Sequence, residues 1–343
     1  MKTRILTADA AAIEAAAALL AASELVAMPT ETVYGLAGNA FDEQAVLKIF
    51  AAKERPSFDP LIVHLAPDAG RDLAELARRE LIDPAAVALG LRPALDALIA
   101  AFWPGPLTLV LPRHPRVPEL VTSGLATVAL RVPAHPVAQA LLARTFPLAA
   151  PSANRFGRIS PTDAAAVFQE LQGRIPLILD GGPCRIGLES TVLGIEADQL
   201  CLLRPGQLSA EELAATAGVT IRPQAPHPAE IRAPGMLKSH YAPLSPLDLV
   251  QAQAEIPALL QARPGRPGLL LLRPNPELEA IMATRGGRLI SLSADAALDE
   301  IARGLFAALR QLDGLDFLIA ELPPAGSGLA HAIRDRLQKA AAR

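Results

Sequence analysis

Short apolar runs of strand length alternate with longer alanine- and leucine-rich segments through residues 1–220. The short runs predict strands at Leu25–Met28, Leu61–Leu65, Leu107–Leu111, Thr127–Val132, Leu148–Ala150, Leu177–Leu179, Thr191–Ile195 and Leu200–Leu203. The longer segments predict helices over residues 8–22, 42–53, 84–101, 135–145, 162–172 and 209–217. Such alternation is typical of an α/β or α+β domain with a mixed sheet.

A proline-rich stretch separates this region from a second one. Six prolines lie between Pro223 and Pro246, and they remove backbone donors and restrict their neighbours, so we expect an extended linker. The remaining strands are predicted at Leu247–Val250, Gly268–Arg273, Leu289–Leu292 and Phe317–Leu322, with helices over 253–262, 294–312 and 328–341. The chain therefore divides into a domain at 1–210, a linker or lid at 211–246, and a smaller, Rossmann-like α/β domain with a parallel sheet at 247–343.

Composition excludes several classes of protein. The net charge of the 343 residues is -3, which argues against a mainly electrostatic nucleic-acid binder. Two cysteines are too few for a disulfide framework or a four-thiolate zinc site. Asp9 and Glu14 interrupt the alanine-rich N-terminal run, and no apolar segment approaches the roughly 20 residues of a membrane span. We expect a soluble, cytoplasmic protein without a membrane partner.

Several short segments concentrate polar residues in apolar surroundings. Residues 28–36 place Thr32 at the end of a predicted strand, where α/β proteins bind ligands, although a helix-capping turn explains the segment equally well. Lys53 and Arg55 end a predicted helix, which suits either the helix dipole or a phosphate clamp. His64 ends an apolar strand, and a lone histidine there is more often a hydrogen-bonded core residue than a catalyst.

Arg131 interrupts a predicted strand that is otherwise apolar, so we expect a carboxylate of the protein or of a substrate to face it, and Glu31 and Glu189 are the candidates within the protein. Ser152 and Asn154 are two residues apart and point the same way in extended backbone, or simply form a turn. A glycine-rich segment before Ser190, followed by Arg204, lets backbone approach a ligand. The sequence has neither a nucleophile activated by His and Asp nor a common phosphate-binding loop.

Together, and in this order, these segments resemble the threonylcarbamoyl-AMP synthase, or YrdC-like, family. The matching motifs are Pro29-Thr-Glu-Thr-Val-Tyr-Gly-Leu36, Lys53-x-Arg-Pro56, Pro60-Leu-Ile-Val-His64, Trp103-Pro-Gly-Pro-Leu-Thr108, Arg131-Val-Pro133, Ala150-Pro-Ser-Ala-Asn154 and Glu189-Ser-Thr-Val192. The segment Ser239-His-Tyr-Ala-Pro243 and the end at 328–340 are similar to the longer form of the family. The resemblance implies a YrdC-like mixed twisted sheet with helices around a basic cavity.

The resemblance also implies an activity: L-threonine, bicarbonate and ATP give threonylcarbamoyl-AMP and pyrophosphate. A separate threonylcarbamoyl transferase complex then modifies the adenosine beside the tRNA anticodon. By similarity, Lys53 and Arg55 are the expected catalytic residues. The expected ATP-binding residues are Arg55, Asp59, Thr127, Asn154, Ser160, Arg204 and Tyr241. The expected threonine-binding residues are Thr32, His64, Arg131, Ser152 and Ser190. Mg²⁺ is expected to arrive with ATP, and no metal site made by the protein alone is expected.

One position departs from the family, because many relatives have Asn where this chain has Asp59, which leaves its contact open. Three alternatives compete with the synthase. A double-stranded-RNA or tRNA-binding module would also use a basic cavity, but the overall acidity disfavours it. A carbamoyl-transfer domain of the hydrogenase-maturation type shares the fold but carries cysteine-rich zinc modules. A threonine sensor would use the pocket without turnover.

Overall fold

The protein is described by a computed structural model that covers residues 2–56, 58–223, 235–236 and 239–342. The strands within these residues are β1 Arg4–Thr7, β2 Val26–Met28, β3 Gly35–Asn39, β4 Ile62–His64, β5 Leu107–Pro112, β6 Thr127–Arg131, β7 Leu148–Ala149, β8 Leu177–Asp180, β9 Thr191–Glu196, β10 Gln199–Arg204, β11 Ile221–Arg222, β12 Leu247–Val250, β13 Pro267–Leu271, β14 Arg288–Ser291 and β15 Phe317–Glu321.

The α-helices of the same residues vary from one turn to four. They are α1 Ala10–Ala21, α2 Glu43–Lys53, α3 Leu73–Arg78, α4 Arg92–Phe102, α5 Glu119–Thr122, α6 Pro136–Leu142, α7 Ala164–Leu171, α8 Ala210–Ala217, α9 Ile256–Ala262, α10 Pro276–Arg285, α11 Leu298–Leu312 and α12 Gly328–Ala341. Among the described residues, no helix is long and apolar enough to cross a membrane.

A large mixed sheet runs through the first two thirds of the chain, in the order β1-β8-β2-β3-β7-β4-β6-β5-β9-β10-β11. Its central pairs combine both directions: β4 is parallel to β6 and antiparallel to β7. The middle strands are buried on both faces, as expected for near-continuous apolar runs covered by helices. This arrangement confirms the predicted mixed sheet.

A second, smaller sheet has the order β12-β15-β13-β14, and all of its pairs are parallel. Helices connect successive strands, because parallel strands need a crossover connection. The amphipathic helix α11 lies on this sheet, and seven of its residues are buried. The predicted small α/β unit with a parallel sheet is therefore present.

Several elements differ from the predictions. The strand β3 was not predicted, because Gly35 and Gly38 interrupt its apolar run. In the structure Gly35 packs closely on Ala150, which favours a residue without a side chain at that position. The predicted helix over 84–101 contains two short 3₁₀ turns before α4 begins at Arg92. The predicted linker at 211–246 overlaps α8, and β11 within it pairs with β10. Residues 224–234 and 237–238 of that linker lie outside the described residues.

The two sheets share one apolar cluster. Val33, Ile159 and Leu188 of the first unit pack with Tyr241 and with buried residues of α11 and α12. Phe306, on α11, is completely buried there, and its ring stacks on that of Tyr241 with 5.5 Å between centroids. The smaller unit is therefore attached to the larger one through a common core.

We expect Phe306→Ala to lower the free energy of unfolding by about 3–5 kcal/mol, because it removes a fully buried ring and leaves a cavity. The exposed Leu89, also changed to alanine, is the control and should alter stability by less than about 0.5 kcal/mol. Urea unfolding followed by circular dichroism measures both values. Equal, small effects of the two substitutions would contradict a shared core at Phe306.

Candidate active site

One cavity opens along the middle of the large sheet, where several strand ends and turns meet. Its volume is about 40 Å³, which is room for a few water molecules. The residues that line it are Thr30, Thr32, Val33, Gly35, Arg55, Ile62, His64, Arg131, Ala150, Pro151, Ser152, Glu189, Ser190, Arg204, Gly235, His240 and Tyr241. Three of these side chains are guanidinium groups, so the expected basic cavity is present.

Arg131 ends β6 and is almost completely buried. Its Nη2 lies 2.5 Å from a carboxylate oxygen of Glu31, and its Nη1 donates to the Thr32 hydroxyl at 2.9 Å. Its Nε donates to the carbonyl of Gly105 at 3.1 Å. Glu31 is therefore the buried carboxylate that the sequence required, and it holds the arginine fork at the cavity wall.

Arg55 enters the cavity from the end of α2. Glu54 ends this helix in a left-handed conformation with φ of 54°, which turns the chain sharply before Arg55. The Arg55 guanidinium pairs with the carboxylate of Asp59 at 2.9 Å and donates to the carbonyl of Pro60 at 2.9 Å. The contact of Asp59 is therefore with Arg55. Burial raises the pKa of the Asp59 carboxyl, against the opposing effect of the Arg55 charge.

Lys53 is buried behind the cavity wall and does not line it. Its Nζ donates to the backbone carbonyls of Ser152 and Asn154, both at 2.5 Å. Burial, reinforced by the nearby charge of Arg55, holds the pKa of the Lys53 amine well below its usual range. In this arrangement Lys53 fixes the turn that carries Ser152.

Arg204 and Ser190 form the opposite wall. The Arg204 Nη2 donates to the carbonyl of Ser190 at 2.9 Å and to its hydroxyl at 3.1 Å. The hydroxyls of Ser190 and Thr108 are 2.7 Å apart. Gly206 permits this close packing, because a Cβ at that position would lie 2.4 Å from the backbone nitrogen of Thr191.

Glu189 lies beside them, and both of its carboxylate oxygens are engaged. One accepts from the Ser160 hydroxyl at 2.5 Å, and the other accepts from Nε of Arg336 at 2.8 Å. Burial raises the pKa of Glu189, but the charges of Arg336 and Arg204 outweigh burial and lower it to about 2. Glu189 is therefore ionised in the folded protein at neutral pH.

Two histidines, His64 and His240, and one tyrosine, Tyr241, complete the cavity. Burial and the charge of Arg131 lower the pKa of His64 to about 3, and burial lowers that of His240 to about 3. The His240 and Tyr241 ring centroids are 4.1 Å apart. The backbone of Tyr241 has a φ of 64°, a left-handed conformation that residues other than glycine seldom adopt. Contacts with its neighbours must therefore hold Tyr241 in place.

The predicted site residues fall into two groups. Eight of them line the cavity: Thr32, Arg55, His64, Arg131, Ser152, Ser190, Arg204 and Tyr241. The other five lie outside its lining: Lys53, Asp59, Thr127, Asn154 and Ser160. Thr127 begins β6, four residues before Arg131. The side-chain amide of Asn154 donates to the carbonyls of Arg155 and Arg158. The assignment of each residue to ATP or threonine remains a prediction.

Glu189, His240 and Arg336 were not predicted as site residues. Glu189 and His240 lie within motifs on which the family resemblance rests, so their positions in those motifs could have identified them as site residues. Arg336 lies 147 residues from its partner Glu189, and no local pattern joins the two.

The comparisons with known proteins identify the class to which this protein belongs. A family model described as "Telomere recombination" matches residues 18–206, and one described as "Threonylcarbamoyl-AMP synthase, C-terminal domain" matches residues 208–342. The chain belongs to the threonylcarbamoyl-AMP synthase family, and it is an enzyme of the nucleotidyltransferase type.

Relatives of known name cover nearly the whole chain. A threonylcarbamoyl-AMP synthase of Bacillus subtilis is 43% identical and one of Pyrococcus abyssi is 40% identical; each comparison covers 96% of this chain, with 92% and 93% of the relatives. The crystal structure of Pyrococcus abyssi Sua5 complexed with L-threonine has a TM-score of 0.83 and 36% identity, over 99% of this chain and 97% of that one. A Sua5 variant of the same organism, with an adjacent His–Tyr pair replaced by alanines, has a TM-score of 0.85 and 35% identity, over 99% of this chain and 96% of that one.

The buried neutral histidines make stability depend on pH. The pKa of His64 falls from 6.5 in the unfolded chain to about 3 in the folded one, so the unfolded chain binds the extra proton between these values. The contribution of neutral His64 to the free energy of unfolding is therefore fully present above pH 6.5 and is lost as the pH falls toward 3. We expect His64→Gln to reduce this slope by about 1.4 kcal/mol per pH unit.

Urea unfolding between pH 5 and 7.5 measures the slope, above the range in which Glu189 titrates. His331, which is exposed, is changed to glutamine as the control for removing an imidazole. A variant slope equal to that of the wild-type protein would show that His64 titrates alike in both states.

Proposed function

We propose that this chain forms threonylcarbamoyl-AMP from L-threonine, bicarbonate and ATP, as the names of its relatives imply for those proteins. The amine of threonine and bicarbonate give a carbamate and water. A carbamate oxygen then attacks the α-phosphorus of ATP, and pyrophosphate leaves. The observation that carries the proposal is the convergence of Arg55, Arg131 and Arg204 with several hydroxyl groups on one cavity. Such a site positions anions and stabilises charge without a covalent intermediate.

We assign the Arg131 side of the cavity to threonine. Glu31 and Thr32 fix the guanidinium, so its fork is pre-organised for a carboxylate. His64 lies beside it on the neighbouring strand and is neutral, so it can donate or accept a hydrogen bond without adding charge. The Sua5 protein of Pyrococcus abyssi was crystallised with L-threonine, which supports an amino-acid pocket in a cavity of this family.

We assign the Arg55 and Arg204 side to the phosphates of ATP, with Asn154 and Tyr241 nearby. The side-chain oxygen of Asn154 and the hydroxyl of Tyr241 are buried and have no hydrogen-bond partner within the part of the chain that the structure describes. Buried polar atoms are normally paired, and Tyr241 lines the cavity, so its hydroxyl is available to a ligand there. Asn154 lies outside the lining and belongs to this side by family resemblance. Thr127, Asp59 and Ser160 belong to this side by family resemblance.

Lys53 supports this site from behind, since its amine holds two carbonyls of the 152–154 turn. We propose that Mg²⁺ enters as a complex with ATP. No group of three or more His, Cys, Asp or Glu side chains suited to a metal occurs among the described residues, and Mg²⁺ commonly uses substrate phosphates and water as ligands. We also propose that the protein acts in the cytoplasm and that its product passes to a threonylcarbamoyl transferase complex that modifies tRNA.

The competing functions are separated by one experiment on the full chain. The purified protein is incubated with ATP, L-threonine and bicarbonate, and the products are separated and weighed by mass spectrometry. The synthase gives threonylcarbamoyl-AMP and pyrophosphate. A threonine sensor binds threonine without turnover, and an RNA-binding module gives neither result, so either outcome would refute the proposal.

We expect Arg131→Lys to raise the KM for threonine about tenfold or more, because lysine keeps the charge opposite Glu31 but loses the two-pronged contact with a carboxylate. The KM for ATP should change by less than about twofold. Arg113→Lys is the matched control, since Arg113 lies outside the cavity lining and, within the described part of the chain, its side chain bonds only to two backbone carbonyls and Glu119. A selective rise in the KM for ATP would move Arg131 to the phosphate side.

We further propose that the segment around Tyr241 acts as a lid. The cavity of about 40 Å³ is far below the several hundred Å³ usual for ligand sites, so the substrates need it to open. Gly235, His240 and Tyr241 line it from the predicted linker. Closure over the adenylated carbamate would exclude water from a product that hydrolysis destroys.

We expect Tyr241→Ala to release more pyrophosphate for each threonylcarbamoyl-AMP recovered, because water then reaches the product. Tyr241→Phe is the matched variant, since it keeps the ring that stacks on Phe306 and should protect the product better. Parallel assays of pyrophosphate and adenylate give the ratio. If the alanine variant keeps the wild-type ratio and the wild-type KM for ATP, the segment is a tether rather than a lid.

A further inference from the structure

Helix α12 of the smaller unit inserts an arginine beside the cavity of the larger unit. The side chain of Arg336 has no exposed surface, and its Nε donates to Glu189 at 2.8 Å. Its Nη2 donates to the carbonyl of Pro205 at 2.9 Å, and its guanidinium lies 5.2 Å from the centroid of the Tyr241 ring. Arg336 thus contacts two lining residues, Glu189 and Tyr241, and also Pro205 beside Arg204, although it does not itself line the cavity.

Glu189 connects this arginine with the proposed ATP site. It lines the cavity next to Ser190, and Ser190 is the residue to which Arg204 donates three hydrogen bonds. Arg204 is also the second cation, after Arg336, whose charge stabilises the ionised form of Glu189. The Glu189 carboxylate therefore interacts electrostatically with both Arg336 and Arg204.

We propose that Arg336 is a positioning residue for ATP: by neutralising Glu189, it leaves Arg204 bonded to Ser190 and directed at the nucleotide. This inference rests on the proposed ATP-dependent reaction and extends it to the smaller unit. Without Arg336, the buried charge of Glu189 attracts Arg204, because an unpaired charge in a dry site draws the nearest opposite charge. The guanidinium then leaves the Ser190 wall and no longer meets the phosphates.

A different role for Arg336 would be to brace the fold. One neighbour on α12 does brace the segment above the cavity, since Lys339 donates to the carbonyl of Gly235 at 2.7 Å. Asp335, on the same helix, pairs with both Lys339 at 2.7 Å and Arg336 at 2.5 Å. The two roles predict different behaviour when Glu189 is also made neutral. A charge-balancing arginine is dispensable once Glu189 has no charge, whereas a brace is needed whatever the state of Glu189.

The test compares Arg336→Met, Glu189→Gln and the variant with both changes, in the full chain. Arg334→Met is the matched control, since Arg334 lies on the same helix and, among the described residues, its side chain bonds only to Gln251 and Pro323 of the smaller unit. Adenylate formation is measured with ATP and threonine varied separately, and thermal unfolding is recorded for each protein.

We expect Arg336→Met to raise the KM for ATP at least about tenfold while the KM for threonine changes less than about twofold. The double variant should recover to within about threefold of Glu189→Gln alone, which a double-mutant cycle expresses as coupling between the two sites. The Arg334→Met control should match the wild-type protein. A double variant as impaired as Arg336→Met, or equal rises in both KM values, would overturn the inference.

Arg336→Lys keeps the test decisive if Arg336→Met does not fold. Lysine retains the charge beside Glu189 but loses the bond to Pro205, so the KM for ATP should stay within about threefold of the wild-type value. A KM for ATP about tenfold or more above the wild-type value in Arg336→Lys would again contradict the inference. Wild-type turnover is measured first, so failure of the proposed reaction appears in the parent protein, whereas failure of this inference appears only among the variants.

Discussion

The burial of permanent positive charge around one cavity is the constraint on which the rest of the structure depends. A guanidinium group does not lose its proton in a protein, so each buried arginine needs oxygen partners at short range. Arg131 has Glu31, Arg55 has Asp59, and Arg336 has Glu189. These three carboxylates lie in separate loops of the chain, at residues 31, 59 and 189. Satisfying them fixes how the strands, the α2 end and the smaller unit meet.

The same constraint explains why the site needs both units. The large sheet supplies Arg55, Arg131 and Arg204, while α12 supplies the cation that balances Glu189. The shared apolar cluster at Phe306 and Tyr241 holds α12 at the distance this ion pair requires. Stability and function are thereby coupled, because loosening the shared core also separates the charges.

Much of the fold and part of the candidate site could be predicted from the sequence, because those features depend on residues that are close together in the chain. The apolar runs predicted most strands, and the arginine in the predicted strand at 127–132 indicated a facing carboxylate, which Glu31 provides. Other features have no local signature. Lys53 and Arg55 are two residues apart, but the left-handed turn at Glu54 directs one to the turn behind the wall and the other into the cavity. The pairing of Arg336 with Glu189 depends on how two sheets pack, which no periodicity encodes.

The central claim is that the cavity is divided into a carboxylate side at Arg131 and a phosphate side at Arg55 and Arg204. The crystal structure of the full chain with L-threonine and a non-hydrolysable ATP analogue tests it most directly. The account predicts the threonine carboxylate on the guanidinium of Arg131 and the triphosphate between Arg55 and Arg204, with Arg336 still on Glu189. A triphosphate bound to Arg131, or ligands bound outside this cavity, would contradict the account.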